Sequence, residues 1–85
     1  MSDQNLQLRI QSADQLLFEG KAKSVSTYNA KGLFDVLPYH ENFISLIENK
    51  VRFVDLNNQK KEFPIELGAI RVEENKVEVL LGIGK

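Results

Sequence analysis

The chain lacks cysteine and has a single histidine among its 85 residues. Without cysteine it has no disulfide framework and no thiolate metal site, which is consistent with a reducing compartment. A zinc site at His40 would need about three further ligands, and a nucleophilic triad would need a serine and a carboxylate around that histidine. We therefore expect no metal, no cofactor and no catalytic residue.

The chain also lacks a charge excess and a long apolar run. Eleven basic and twelve acidic residues give a net charge of -1, so no positive potential favours binding to nucleic-acid phosphates. The longest apolar runs have three residues, far fewer than the roughly 20 of a membrane helix. The N-terminal residues 1–5 do not resemble a signal peptide. We expect a soluble protein on the cytoplasmic side that reaches a membrane only through partners.

The length of the chain limits its function. Residues 1–85 are predicted to form a single domain, and a chain of this size buries only roughly 60–65% of the surface that its unfolded form exposes. One core fits, without a second lobe. A closed pocket with a full catalytic set is demanding for so small a domain, whereas a surface that docks on a partner needs only a stable face. Size therefore favours interaction over catalysis.

Alternation of apolar and polar residues predicts strands along most of the chain. Leu6 to Gln11 alternate without a fault, as expected of a strand with one buried face. Further strands are predicted at residues 15–20, 21–28, 33–37, 43–47, 51–56, 60–67, 69–72 and 77–81. Small and polar residues at 12–15, 29–32, 48–50, 57–59 and 73–76 predict the turns. About eight or nine short strands without a helical period indicate an all-β sandwich or flattened barrel.

Two positions predict irregular strand geometry. Ala22 and Val25 fall on opposite faces of a regular strand, so one extra residue near Lys23, a β-bulge, is needed to bury both. Pro64 cannot donate to a ladder, which predicts either an edge position or a position where its nitrogen faces outward. The predicted core consists of Leu6, Leu8, Ile10, Leu16, Phe18, Val25, Phe34, Val36, Phe43, Leu46, Val51, Phe53, Phe63, Ile65, Ile70, Val72, Val77 and Val79.

Four motifs in order carry a resemblance to a known family. They are Ser12-Ala13-Asp14-Gln15-Leu16-Leu17-Phe18-Glu19-Gly20, Gly32-Leu33-Phe34-Asp35-Val36-Leu37-Pro38-Tyr39-His40, Leu67-Gly68-Ala69-Ile70-Arg71-Val72 and Asn75-Lys76-Val77-Glu78-Val79-Leu80. Together they resemble the N-terminal β-sandwich domain of the F-type ATP synthase epsilon subunit. The resemblance implies a flattened sandwich or barrel of about eight to ten short antiparallel strands. The chain stops where the family's C-terminal helical hairpin would begin, so no such hairpin is expected.

The resemblance also implies a function and partners. In this family the sandwich lies at the foot of the central stalk and links the gamma subunit to the membrane rotor ring. We therefore expect a non-catalytic rotor subunit that helps couple ion transport to ATP synthesis, peripheral to the membrane at its cytoplasmic face. Helix-mediated inhibition of ATP hydrolysis, and the nucleotide binding of some relatives, are expected to be absent.

The resemblance assigns six residues to partner interfaces: Leu33 and His40 at the end that faces the ring and gamma, and Ser12, Ser45, Glu66 and Arg71 on the face toward gamma. The family usually has glycine where Asp35 and Tyr39 stand, and often an acidic residue at Leu33. Non-glycine residues are costly at positive φ. We therefore expect the loop still to turn at Pro38, with its contacts reset and with Leu33 offering an apolar contact.

Two other classes of function are open. A free-standing β-sandwich could serve as a protein-binding module, which the short chain and the altered loop support; co-purification with gamma and the ring would decide against it. A small enzyme built around His40 would require a concave site with a perturbed acid or base. A His40→Ala variant that assembles normally but loses turnover would favour that alternative.

Overall fold

The computed structural model describes residues 5–82, which form strands and turns without a helix, so the predicted all-β fold class is confirmed. Residues 1–4, part of the segment compared with signal peptides, and residues 83–85 lie outside this range. Within it, no helix has the length and apolarity needed to cross a membrane. The six described strands are β1 Leu6–Gln11, β2 Leu16–Asn29, β3 Gly32–Val36, β4 Phe43–Asp55, β5 Lys60–Glu73 and β6 Lys76–Leu81.

The strands close into a flattened barrel. Their order is β1-β6-β5-β4-β2-β3, and β1 also pairs with β2, which joins the sheet to itself. Five of the six pairings are antiparallel, but β1 and β6 run parallel. The expectation of antiparallel strands throughout is therefore wrong at this pair. Parallel pairing is possible here because the two strands lie far apart in sequence and need no hairpin between them.

Three strands are longer than predicted, and each covers two of the predicted segments. β2 and β5 have 14 residues and β4 has 13. The predicted turn at residues 48–50 is wrong, because β4 continues through it with an irregularity between Ile47 and Asn49. Asn49 has a φ of 78°, a conformation that asparagine tolerates better than most residues. The polar segment therefore bends a continuous strand instead of reversing the chain.

The bulge predicted near Lys23 is confirmed. The register of the β2–β4 ladder shifts between Ala22 and Ser24, which makes Lys23 the extra residue. Ala22 and Val25 are both fully buried. The bulge is thus what allows two apolar residues three positions apart to face the same core.

The core fills the space between the two walls of the flattened barrel. Its fully buried apolar residues are Leu6, Leu8, Ile10, Ala22, Val25, Val36, Ile47, Val51, Phe53, Ile70, Val72, Val77 and Val79. Phe53 is the largest of them. Its ring lies 4.4 Å from that of Phe18 and 6.2 Å from that of Phe63, measured between centroids. Aromatic contacts of this kind add to the apolar area buried by each ring.

Two predicted core residues are exposed. Leu16 is 48% exposed and Leu46 is 62% exposed, so their assignment to the core is wrong. Leu16 pairs with Gln11 beyond an irregularity in the β1–β2 ladder, and the next residue, Leu17, packs against the core instead. In β4, Ile47 is buried and Leu46 is not.

The error in β4 concerns which face of the strand is inward. Successive side chains of a strand point to opposite faces, and in β4 the inward set is Phe43, Ser45 and Ile47. Ile44 and Leu46 point outward. Because four of these five residues are apolar, alternation alone does not identify the buried face.

Candidate functional site: an outer face and a corner loop

Three strongly exposed apolar side chains share one outer side of the sheet. Two rows of paired residues cross β4, β5 and β6, one made of Leu46, Ala69 and Leu80 and the other of Ile44, Arg71 and Glu78. These six residues are the outer face. Ile44 is 73% exposed, Leu46 62% and Leu80 42%. Contiguous exposed apolar side chains on a small domain mark an interaction surface.

Charged side chains border this apolar group at one end. The Nη2 atom of Arg71 donates to Oε1 of Glu73 at 2.7 Å, and its Nη1 atom lies 3.7 Å from Oε1 of Glu78. Exposed ion pairs of this kind contribute little to stability. An apolar centre with a charged rim is, however, the usual composition of a protein–protein interface.

Arg71, Glu66 and Ser12 lie on or beside the outer face. Arg71 is part of it, and Glu66 is exposed earlier on the same strand, β5. Gln11 pairs with Leu80 in the parallel ladder and so extends the Leu46 row; Ser12 follows Gln11 in the chain. Its hydroxyl donates to Asp14 Oδ1 at 3.2 Å. Arg71 is therefore a member of the outer face, Glu66 lies on a strand that crosses it, and Ser12 lies in the turn next to it.

Ser45 lies on the same strand as Ile44 and Leu46 but points to the opposite side. It pairs with Ile70, which is fully buried, and it is itself half-buried. Its hydroxyl donates to the carbonyl oxygen of Leu46 at 2.9 Å. Ser45 is therefore a neighbour of the outer face and not a member of it.

The corner loop, residues 37–42, joins β3 to β4. The backbone N–H of His40 donates to the carbonyl of Leu37 at 3.1 Å, which closes a turn around Pro38, so the predicted turn there is confirmed. Tyr39 has a φ of 69° at the position where a type II turn favours glycine. Asp35 is not among the residues with positive φ. An aspartate where the family usually has glycine therefore causes no backbone strain.

The turn between β5 and β6 holds the corner loop in place. The N–H of Tyr39 donates to Oδ1 of Asn75 at 2.6 Å, and the N–H of Glu74 donates to Oδ1 of Asn42 at 3.1 Å. Glu74 and Asn75 have φ values of 52° and 66°, as in the two-residue turns that suit β-hairpins. Each loop thus supplies an amide side chain that accepts a backbone N–H of the other.

His40 is anchored within the protein. Its Nδ1 atom lies 2.7 Å from the carbonyl oxygen of Glu41; a carbonyl can only accept, so Nδ1 donates. The ring packs against Phe43 with centroids 4.9 Å apart, and Phe43 meets Phe34 edge-on at 5.6 Å. Residues 5–82 contain no group of three or more histidine, cysteine, aspartate or glutamate residues that could hold a metal ion. The geometry is that of a histidine that braces a loop.

Leu33 belongs to a second exposed surface. It lies on β3, which pairs only with β2 among residues 5–82, and it is 54% exposed. Leu37 and Tyr39 of the corner loop are 54% and 65% exposed. The predicted interface residues therefore divide between two surfaces of the one sheet: the β3 corner, made of Leu33 and His40, and the outer face with its neighbours.

Replacing Tyr39 by glycine is expected to raise the free energy of unfolding by about 1 kcal/mol, because glycine adopts positive φ without a steric cost. The tyrosine side chain is largely exposed, so little packing is lost. Urea denaturation measures the change. Leu37→Gly, at an exposed residue of the same loop without positive φ, is the control and should lower stability. A loss of stability in Tyr39→Gly would show that contacts of the ring outweigh the backbone strain.

Comparison with known protein sequences identifies relatives. The family model described as ATP synthase, Delta/Epsilon chain, beta-sandwich domain matches residues 5–82. An ATP synthase epsilon chain of a Nitratiruptor species is 36% identical over 77 residues, which cover 89% of this chain and 60% of the relative. An ATP synthase epsilon chain of Clostridium botulinum (strain Hall) is 30% identical over 77 residues, with coverage of 89% and 58%. The chain thus spans three fifths or less of the length of these relatives.

Two solved structures contain chains of similar fold. One, in the Euglena gracilis mitochondrial ATP synthase, has a TM-score of 0.86 at 16% identity and covers 93% of this chain and 51% of that chain. The other, in the central stalk and c-ring of the Tetrahymena thermophila mitochondrial ATP synthase, has a TM-score of 0.76 at 8% identity, with coverage of 95% and 66%. At such identities the likeness is one of fold. Since the family model spans residues 5–82 and the Nitratiruptor relative is 36% identical, the chain belongs to the ATP synthase delta/epsilon chain family and carries its β-sandwich domain.

Proposed function

We propose that this chain is a non-catalytic rotor subunit in the central stalk of an F-type ATP synthase, where it links the gamma subunit to the membrane rotor ring and helps couple ion transport to ATP synthesis. Its family supports this role, as does the central-stalk and c-ring setting of the Tetrahymena chain of similar fold. The observation that carries the proposal is the outer face. Ile44 and Leu46 are 73% and 62% exposed on neighbouring outward positions of one strand.

The outer face is the proposed contact with gamma. Covering Ile44, Leu46 and Leu80 would remove apolar surface from water, which is favourable by roughly 25 cal/mol per Å². The side chains stand on paired strands, so binding orders little additional backbone and the entropic cost of association is reduced. The charged rim at Arg71 would fix the orientation of the partner.

The β3 corner is the proposed contact with the rotor ring. Leu33 offers an exposed apolar side chain at a sheet edge, and His40 lies in the loop that follows, held in a fixed conformation by Glu41 and Phe43. The two are therefore presented on a braced corner. A structure of the complex in which Leu33 and His40 both face bulk solvent, away from ring and gamma, would contradict this part of the proposal.

The proposed role includes no chemical step. It assigns the linking function to residues 5–82, which form strands and turns, and leaves out helix-mediated inhibition of ATP hydrolysis and nucleotide binding. The subunit would be peripheral, held at the cytoplasmic face of the membrane by its protein partners. Torque then passes through packed side chains and paired strands, which resist deformation because protein interiors are close-packed.

We expect Leu46→Asp to weaken binding to the purified gamma subunit by about tenfold or more, because a carboxylate buried without a partner opposes an apolar contact. Leu46 is exposed in the free chain, so the fold should be kept, as circular dichroism can verify. Titration calorimetry measures the affinity.

The matched control is Leu56→Asp, which alters a leucine that is 44% exposed in the turn between β4 and β5. This variant should bind gamma within about twofold of the unchanged chain, as is usual for surface substitutions outside an interface. Equal affinities of the two variants would exclude the outer face as the gamma contact. Failure of the unchanged chain to bind gamma would reject the proposed function itself.

A further inference from the structure

Residues 43–47 of β4 form an open strand edge. On one side they pair with residues 68–72 of β5. On the other side the ladder with β2 ends at the pair Tyr28 and Glu48, so within the described part of the chain this second side has no strand partner. Unpaired N–H and C=O groups along an edge are a template for another strand.

A groove of about 580 Å³ runs along this edge. It is lined by residues 43–48 of β4, by the β2–β3 turn at residues 29–31 and by Leu67. Because consecutive residues of β4 line it, the groove exposes the edge of the strand and not one face alone. Five extended residues span roughly 17 Å, so a segment of that length would match residues 43–47.

Another open edge of the same sheet is protected against strand pairing. Residues 60–65 of β5 pair with β4 on one side, while the ladder with β6 begins only at Gly68. This edge carries Lys60, Lys61 and Pro64, which lies there as predicted from sequence. Lysine and proline are the usual means of preventing edge-to-edge association. Residues 43–47 contain no charged residue and no proline, so this edge is left open to pairing.

We propose that an extended segment of the gamma subunit adds to this edge of β4 as a further strand. The inference rests on the proposed function, which makes gamma the partner of the outer face. Ile44 and Leu46 belong to both the edge and the outer face, so the two surfaces are continuous. The segment has no charged residue where it pairs. One set of its side chains extends the outer face beside Ile44 and Leu46, and the alternate set lies beside Phe43 and Ile47.

Strand addition divides the binding energy in a defined way. Main-chain hydrogen bonds supply affinity, and alternate side chains that meet pockets supply register. Residues 43–47 are apolar except for Ser45, so a charge that pairs with them would be opposed by desolvation. The charged residues that line the groove, Lys31 and Glu48, lie outside this segment. The half-buried Ser45 lies at the middle of the edge. This predicted interface residue would therefore contact the added strand although it is not part of the outer face.

Filling the groove tests the proposal. Ala30 is exposed in the β2–β3 turn, across the groove from β4 and outside both the core and the outer face. We expect Ala30→Trp to weaken binding to purified gamma by about tenfold or more while circular dichroism shows an unchanged fold. Gln59→Trp, at an exposed residue of the turn between β4 and β5 and outside the groove, is the matched control and keeps its affinity. In the unchanged complex, hydrogen exchange slows at backbone amides within residues 43–47.

Three outcomes would overturn the proposal. If Leu46→Asp weakens binding but Ala30→Trp does not, and no amide of residues 43–47 gains protection, strand addition is excluded while the proposed function stands. If the unchanged chain does not bind gamma, both strand addition and the proposed function are rejected. If the amides become protected in the chain alone as its concentration rises, and ultracentrifugation detects a dimer that Ala30→Trp abolishes, the occupant of the edge is a second copy of this chain.

Discussion

Gly68→Ala is expected to lower the free energy of unfolding by about 3 kcal/mol, at the upper end of what overpacking usually costs. A Cβ at this position would lie 2.5 Å from the carbonyl oxygen of Leu80, whereas non-bonded heavy atoms prefer about 3.5 Å or more. Gly68 pairs with Ile47 on one side and Leu81 on the other, so the clash is relieved only by parting β5 from β6. For a domain of this size the melting temperature should fall by roughly 15 °C, measured by thermal unfolding.

Gly20→Ala is the matched control, because it adds the same methyl group to another strand glycine. Its nearest neighbour would be the ring of Phe18 at 3.3 Å, a side chain that can shift, whereas the Leu80 carbonyl is fixed in the backbone. We expect a loss of less than about 1 kcal/mol. Equal losses in the two variants would show that the sheet adapts at Gly68 and that the close approach of β6 is not required for stability.

Where a strand has one buried face, the sequence is sufficient to predict both the strand and its inward residues. In β1 the alternation from Leu6 to Gln11 predicts both the strand and its inward residues, and Leu6, Leu8 and Ile10 are fully buried. In β6 the same holds for Val77 and Val79. Period-two alternation is a local property, so it can be read without knowing what the strand pairs with.

Bulges and turns could not be separated in the same way. A bulge near Lys23 is predictable because the burial of both Ala22 and Val25 requires one. At Asn49 the sequence shows only a polar segment, and asparagine at positive φ serves a bulge as well as a turn. What decides between them is the pairing of Asn49 with Ile65, a contact between distant parts of the chain that local sequence does not reveal.

The outer face had a signal in the sequence that alternation obscured. The segment Phe43-Ile44-Ser45-Leu46-Ile47 is apolar on both faces of one strand, yet a chain of 85 residues has room for only one core. The second apolar face must therefore be exposed or covered by a partner. The sequence pattern predicts Leu46 in the core, whereas the structure exposes it beside Ile44. Leu80 joins them only through the pairing of β5 with β6, which sequence alone does not provide.

For the corner loop, the sequence predicts the turn at Pro38 but not the contacts that stabilise it. Pro38 and the cost of positive φ at Tyr39 were evident from the residues, since proline fixes its own φ and tyrosine lacks the freedom of glycine. The compensating contacts come from Asn42 and Asn75, which are 33 positions apart in sequence and meet at the β5–β6 turn. A single asparagine in a polar segment does not reveal from sequence that its side chain accepts a backbone N–H of a distant loop.

Asn75→Ala is expected to lower the free energy of unfolding by about 2 kcal/mol. Asn75 has a φ of 66°, and an alanine in that conformation costs roughly 1–2 kcal/mol. Its Oδ1 also accepts the N–H of Tyr39 at 2.6 Å, and a typical hydrogen bond contributes about 1 kcal/mol. The bond holds a residue that is itself at positive φ, so its loss should also make the corner loop more mobile. Urea denaturation measures the first effect, and hydrogen exchange at the Tyr39 amide measures the second.

Two further substitutions at Asn75 separate the backbone cost from the hydrogen bond. Asn75→Gly accepts the positive φ but removes the acceptor, so it should cost about 1 kcal/mol and still speed exchange at Tyr39. Asn75→Asp keeps an acceptor and tolerates the conformation, so exchange at Tyr39 should stay slow. An alanine variant that is as stable as the unchanged chain, with the Tyr39 amide still protected, would contradict this account. His40 directly follows Tyr39, whose N–H loses its acceptor in the glycine variant. Binding of this variant to the rotor ring therefore tests whether a fixed corner matters for the proposed ring contact.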